Sequence, residues 1–399
     1  MRRALIADRI DPFVAAALQS AGLEVLEEPG LKGESLEAKL KSFQPALLIV
    51  RSTKVNAAAL SASANLALVI RAGAGVNTID LNAASQRAVS VANCPGMNAA
   101  AVAELAWGHI INIDRRISEN VATLRAGRWS KRRFSAAAGL KGKRLGLVGA
   151  GSIGRAMIEI AKAFGLTVSV YSPDLSVEEA DRLQVTRAST LLELAAEADI
   201  VSLHLPLNDE TRGLFSTEFF NTLRPGAIFI NTARGALVDE AALAAAIETR
   251  GLRAGLDVFS GEPAQDGAWE QPLAGYEGLY GTHHIGASTE QAQRAVAEEA
   301  CRIALEWVRS GRVERCVNLS RARGEVSCLT IRHRDEVGAL ASVLELLREA
   351  GLNIKQMENQ IFAGEGAAAC ARLDLSGTIS GRLLDDLCAL TAVYDVQQS

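Results

Sequence analysis

The 399-residue chain has no Cys-x-x-Cys pair. Its cysteines, Cys94, Cys301, Cys316, Cys328, Cys370 and Cys388, stand singly, so spacing suggests neither a zinc site, nor any other metal site, nor a disulfide framework. Reduced thiols in a cytoplasmic protein are the expectation. Missing as well is any run of the ~18 apolar residues that a membrane helix needs. The opening Arg2-Arg3 precedes an apolar stretch that Asp8 and Arg9 cut too short for a secretory leader. Nor is there charge of one sign. With 42 Lys plus Arg against 46 Asp plus Glu the net charge is −4, which gives no chain-wide positive field for nucleic acid or for a membrane surface. Fixed-period repeats and low-complexity tracts are absent too.

What is present is ordinary globular composition, 49% hydrophobic and 22% charged, enough to build buried cores. At about 150 residues per domain the length predicts two or three domains. Short apolar runs alternate with helical patterns at 4–7, 12–21, 46–50, 66–70 and 89–92, the grammar of a parallel sheet covered by helices. After Cys94-Pro95-Gly96 a long Ala-rich helix begins near Ala99, with Asn98 as its expected N-cap. A second alternating series has strands at 145–148, 167–171, 199–203, 227–231 and 255–258, with helices at 153–164 and 240–250 between them. A helix at 288–309 leads to a polar, basic segment, 310–323, read as a linker. The tail reads strand 326–331, helix 338–350, strands 353–361 and 367–375, helix 381–390 and a last strand. That βαββαβ order is a ferredoxin-like plan. The expected fold is therefore α/β: two doubly wound parallel-sheet domains plus a small C-terminal domain.

Gly149-Ala150-Gly151-Ser152-Ile153-Gly154 follows an apolar strand and opens a helix, the setting in which GxGxxG signals dinucleotide binding. Glycines allow the tight turn and let a pyrophosphate reach the amides at the helix N-terminus, where the dipole favours negative charge. About twenty residues on, an acidic residue should end the next strand and bind the ribose hydroxyls. Ser172 stands in that place, with Asp174 two residues beyond and no Arg directly following to hold a 2′-phosphate. NAD is expected, with NADP as the open alternative.

Three polar segments close later strands: Asn231-Thr232-Ala233-Arg234-Gly235, Asp257-Val258-Phe259-Ser260-Gly261-Glu262-Pro263 and His283-His284-Ile285-Gly286-Ala287-Ser288. In an open α/β sheet those ends line the ligand crevice. An Arg clamps a carboxylate bidentately, and a His held by a Glu accepts a hydroxyl proton while hydride leaves for nicotinamide. Together with Ile49-Val50-Arg51-Ser52-Thr53-Lys54-Val55, Arg71-Ala72-Gly73-Ala74-Gly75-Val76 and Asn93-Cys94-Pro95-Gly96-Met97-Asn98, these segments resemble the D-isomer-specific 2-hydroxyacid dehydrogenases over nearly the whole chain.

That resemblance implies an oxidoreductase acting on CH–OH. It implies Arg234 as carboxylate clamp, His284 as acid/base, Glu262 as its partner and Asp257 at the nicotinamide end. Gly149, Gly151, Ser152, Ile153, Gly154, Ser172, Asp174, His204, Pro206, Thr232 and Ala233 would line the cofactor site; Arg51, Ser52, Ala74, Gly75 and Asn98 would line the substrate site. Likeness is strongest to the branch that oxidises a small phosphorylated 2-hydroxy acid and carries an ACT-type regulatory tail. It implies a substrate-binding domain at 1–98 and 287–318, a dinucleotide domain at 99–286, an ACT-type domain at 326–399, and a homodimer or homotetramer. In the tail, His333, Asp335 and Asn353 match positions that hold an amino-acid effector, with L-serine as the expected ligand. The sequence departs from the family in placing His283 where Pro usually precedes the catalytic His. Two other readings stay open, a glyoxylate or hydroxypyruvate reductase and a dinucleotide-binding corepressor-like protein.

Overall fold

The computed structural model describes residues 2–263, 267–320, 326–363 and 368–398. The chain divides into two compact units, Met1–Asn318 and Leu319–Ser399.

The first unit holds two parallel sheets. Strands β1 (Arg3–Ile6), β2 (Glu24–Glu27), β3 (Leu47–Val50), β4 (Leu68–Arg71) and β5 (Ser90–Asn93) pair in the order β2-β1-β3-β4-β5. Strands β6 (Arg144–Val148), β7 (Thr167–Tyr171), β8 (Thr186–Arg187), β9 (Ile200–Leu203), β10 (Ile228–Asn231), β11 (Arg253–Leu256) and β12 (Leu279–Gly281) form the second, in the order β12-β11-β10-β9-β6-β7-β8. Helices cover both faces of such sheets, so central strands are buried on both sides and read as continuous apolar runs. All four residues of β3, β9 and β10 are buried.

The expected strands and helices appear within a residue or two of their predicted ends. Three strands had no such run to mark them: β2 is half-exposed and bears Glu24 and Glu27, β8 is two exposed residues, and β12 is three residues at a sheet edge. Helix Ala99–Arg115 buries Ala103, Ala106, Trp107, Ile110 and Ile113 in the core of the second sheet. Helix Glu290–Ser310 buries Val296, Ala300, Ile303 and Trp307 in the core of the first, so the chain crosses out and returns. Loops at the C-terminal ends of both sheets face one another across this crossing: Gly96 lies against Ser152 and Gly75 against Arg234.

Two expectations need correction. Asn98 precedes its helix, but its side chain makes no capping hydrogen bond. The segment 310–323 is not a linker throughout. Cys316 bridges Ala92, the Val317 N–H donates to the Val91 carbonyl, and Asn318 accepts from the Val91 N–H, so residues to 318 extend the first sheet's edge. Residues 321–323 of that segment lie outside the described residues, as does Ala367, the expected start of a tail strand.

The second unit is βαββαβ. Strands β13 (Val326–Arg334), β14 (Asn353–Ile361), β15 (Ala368–Ser376) and β16 (Val393–Gln398) pair antiparallel in the order β14-β15-β13-β16. Helices Ala339–Glu349 and Gly381–Cys388 set Val343, Leu347, Leu383 and Leu387 on Leu329, Ile331, Ala371, Leu373 and Leu375. Burying each Val, Leu or Ile of this set contributes about 1.5–3 kcal/mol to holding helices and sheet together. Strand β13 runs three residues past its predicted end and takes His333 into the sheet. Among the described residues no helix is long and apolar enough to cross a membrane.

Candidate active site

The glycine loop leaves β6 with Gly149 at φ +105°, and a Cβ there would sit 2.5 Å from the His204 carbonyl oxygen. At Gly154 a Cβ would come within 2.2 Å of the Gly149 carbonyl oxygen. Gly151, by contrast, faces open space. The glycines at 149 and 154 are thus demanded by packing, whereas the one at 151 leaves room for a ligand. Helix Ser152–Ala163 starts there with no side-chain cap, so its first amides are free to receive an anion. Ser152 is exposed, and Ile153 packs against the core beneath.

Beyond β7, Ser172 is half-buried and Asp174 exposed. Pairing of β7 with β8 sets the exposed Arg187 beside Val170, a cation near this end that linear spacing does not reveal. Opposite, His204 Nε2 meets Ser202 Oγ at 2.9 Å while its Nδ1 is buried without a partner. Burial pushes this ring down to about 3, so it is neutral at physiological pH. Pro206 is exposed beside it. Thr232 is buried with an unpartnered hydroxyl, and the Ala233 N–H donates to Asn231 Oδ1. Orphaned buried polar atoms are rare in folded proteins. Those at His204 and Thr232, with the glycine cradle, fit an extended polar ligand such as a dinucleotide.

Arg234 follows β10. Asn231 fixes the turn by donating from Nδ2 to the Arg234 carbonyl, and Gly235 presses so closely on Phe259 and Ser260 that no larger residue fits. Glu262 Oε1 accepts from the Phe259 N–H at 2.8 Å, and Oε2 meets His284 Nδ1 at 2.6 Å. Burial pushes the Glu262 carboxyl up, but the bonds from His284 and Phe259, with Arg234 nearby, hold it below its ordinary range on balance. The same bond to Glu262 outweighs burial at His284 and raises its pKa. Among the described residues His284 Nε2 has no hydrogen-bond partner. Its backbone lies at φ +53°, a conformation that non-glycine residues adopt at a cost and that recurs at functional sites. His283 is exposed.

Asp257 is buried, and its carboxylate accepts from Thr282 Oγ1, the Ile285 N–H and the Gly286 N–H. This carboxylate, expected at the nicotinamide end, also holds the loop that carries His284.

On the facing sheet, Asp8 accepts from the N–H groups of Arg51, Ser52 and Thr53 and from Ser52 Oγ, pinning the loop after β3. Arg51 is half-buried and Ser52 exposed. The Ala74 carbonyl accepts from Asn93 Nδ2, Gly75 packs on the Arg234 guanidinium, and Asn98 lies half-buried at the start of its helix. Sequence reasoning missed Asp8, and it missed Arg71. The Arg71 guanidinium folds over Gly73, its Nε is buried without a partner, and burial, Arg234 and Arg51 together push its pKa down to about 10. Among the described residues no ion pair neutralises Arg51, Arg71 or Arg234. Three guanidinium groups with Asp8 and Glu262 as the nearby carboxylates leave this crevice with an excess of positive charge.

Of the tail residues, His333 is buried, with Nδ1 against the Arg334 carbonyl at 2.7 Å and Nε2 against Asn359 Oδ1 at 3.1 Å. Expected to face an effector, its ring is instead engaged within the unit. Asp335 and Asn353 are exposed.

The crevice between the two parallel sheets thus brings together a glycine cradle at the start of a helix, the Arg234 guanidinium and a His held by a Glu. Residues 107–286 match the family model of the D-isomer specific 2-hydroxyacid dehydrogenase, NAD binding domain, and this part of the chain is a domain of that kind. It is 36% identical to D-3-phosphoglycerate dehydrogenase of Methanocaldococcus jannaschii over 321 residues, covering 80% of this chain and 60% of that one. The chain spans about 56–64% of the length of the curated relatives it matches. Among solved structures it is similar to the NAD+-bound 3-phosphoglycerate dehydrogenase of Entamoeba histolytica, with TM-score 0.66 and 27% identity, covering 79% of this chain and 98% of that one. It is also similar to a glyoxylate reductase from Paecilomyes thermophila, with TM-score 0.72 and 27% identity, covering 79% and 98%.

Proposed function

We propose that the chain is a D-3-phosphoglycerate dehydrogenase, oxidising 3-phosphoglycerate to 3-phosphohydroxypyruvate with NAD. The observation that carries this reading over a simpler hydroxy acid is the set of three unneutralised arginines, Arg51, Arg71 and Arg234, in one crevice. One carboxylate needs one guanidinium fork. A second, phosphorylated end accounts for the other two. In this reading Arg234 binds the carboxylate, while Arg51 and Arg71 receive the phosphate, supported by Ser52 and by the Ala74, Gly75 and Asn98 backbone region. His284 Nε2 accepts the hydroxyl proton, and Glu262 stabilises the imidazolium that forms. A dinucleotide held at its pyrophosphate by the glycine cradle would supply the hydride acceptor. Gly149, Gly151, Ser152, Ile153 and Gly154 hold the pyrophosphate, Ser172 and Asp174 the ribose, and His204, Pro206, Thr232 and Ala233 the remaining length.

The proposed division is a substrate domain at 1–98 and 287–318, a dinucleotide domain at 99–286 and an ACT-type domain at 326–399, in a cytoplasmic homodimer or homotetramer. L-serine is the proposed effector of the tail, through Asp335 and Asn353, with His333 reached only if its internal bonds open. Serine heat measured by calorimetry on the intact chain tests this, and its absence removes the effector.

The deciding experiment is turnover with 3-phosphoglycerate, glycerate and glyoxylate against NAD and NADP. A higher kcat/KM for 3-phosphoglycerate with NAD is expected. Preference for glyoxylate would make the chain a reductase, and dinucleotide binding without turnover of any substrate would favour the corepressor-like reading.

A further inference from the structure

Behind the catalytic loop lies a chain of hydrogen bonds that the reaction as described does not use. His109, on helix Ala99–Arg115, is buried, with Nε2 3.1 Å from Thr282 Oγ1. Thr282 Oγ1 lies 2.6 Å from Asp257 Oδ1. Asp257 in turn takes the Ile285 and Gly286 N–H groups on its carboxylate at 2.9 and 2.8 Å, and its carbonyl takes the His284 N–H at 2.8 Å. Three consecutive amides of the loop thus end on one aspartate. The first belongs to His284, whose left-handed backbone needs outside support.

The direction of this chain follows from donor counting. A carboxylate only accepts, and Thr282 has one hydroxyl proton, so that proton goes to Asp257. Thr282 must then accept from His109, which fixes the proton on Nε2. Burial lowers the His109 pKa, in keeping with a neutral ring carrying one N–H. The fold also makes room for the ring: at Gly255 in β11 a Cβ would sit 2.7 Å from His109 Cβ and 3.0 Å from Cγ. Any other residue at 255 would displace the imidazole.

We infer that His109 is a positioning residue for catalysis, acting through Thr282 and Asp257 to hold His284 in its working orientation. By donating to Thr282 it holds the hydroxyl in the rotamer that serves Asp257, and polarisation along the chain strengthens each bond. Without that donor the hydroxyl has freedom to turn, and the carboxylate loses its anchor on the side away from the loop. The inference rests on the reading of His284 as the acid/base.

A double-mutant cycle tests it. H109L and H109M remove the donor, H109Q supplies an N–H near the place of Nε2, and T282V removes the link. Each apolar variant is expected to lower kcat about tenfold, with the dinucleotide Kd within about twofold of wild type, and H109Q to recover most of the loss. H109L/T282V should be no slower than T282V alone, because both act on one chain. Losses that multiply, wild-type kcat in H109L, or failure of both apolar variants to fold would overturn the inference. An unimpaired H284A would instead remove the acid/base reading itself, an outcome separate from the cycle.

Discussion

Gly235→Ala tests the assembly of the site by the smallest possible addition. A Cβ at this position would lie 2.0 Å from the Phe259 carbonyl carbon, 2.2 Å from its oxygen and 2.5 Å from the Ser260 nitrogen. All three are backbone atoms, so no side-chain rotation relieves the clash. Densely packed interiors yield little, and one strand end must retreat by about 1 Å. Overpacking of this kind costs about 1–3 kcal/mol. The functional cost should be larger, because Arg234 precedes the glycine and the Phe259 N–H holds Glu262, which holds His284. Separating the two segments moves the clamp away from the base, and a misplacement of about 1 Å costs on the order of 10²-fold in rate. Gly235→Ala is therefore expected to remain folded, with a lowered melting midpoint, and to lose about 10²-fold in kcat/KM. Steady-state kinetics beside calorimetric melting would show it. If kcat/KM stays within twofold of wild type, the close approach at 235 does not set the catalytic geometry.

Glu262→Gln should shift the acidic limb of the oxidation profile to lower pH. A protonated His284 cannot accept the hydroxyl proton, the bond to Glu262 is the main cause of its raised pKa, and the neutral amide removes that charge. Ketone reduction, which needs the protonated ring, should lose the upper end of its pH range; pH–rate curves in both directions would reveal either limb unmoved. Arg234→Lys cannot reproduce a bidentate fork and should lower kcat/KM about tenfold or more, so wild-type kinetics would take Arg234 out of the site. Arg71→Met should raise KM for 3-phosphoglycerate about tenfold or more while leaving glyoxylate within about threefold, and equal effects on both would place Arg71 away from the phosphate.

The fold was readable where burial writes a pattern. Continuous runs such as Leu47–Val50 and Ile228–Asn231 are apolar because helices cover both sides of their sheets. Strand β2 escaped because an edge strand with Glu24 and Glu27 half in solvent carries no such pattern. The Arg, Glu and His segments stood out as a set through their resemblance to the family's motifs, and the structure brings Glu262 onto His284 with Arg234 nearby. In the sequence Arg71 stands only as the opening of a glycine-containing motif, and it is the fold over Gly73 that reveals its guanidinium in the crevice. Asp8 reads as the break after an apolar stretch. Its partners lie more than forty residues away, a pairing that no local pattern encodes. The burial of His333 was not legible, since its strand runs further than its hydrophobic residues and carries the ring inside.

Asp8 also bears on how this crevice could change its diet. It grips the loop after β3 by main-chain amides at 51, 52 and 53, and Thr53 ties to the Leu31 carbonyl, while the Arg51 side chain has no part in that scaffold. Shape and taste are thereby written in different residues. A library at position 51 can exchange the proposed phosphate receptor for an apolar or amide-bearing wall without remodelling the loop, provided Asp8 is left alone.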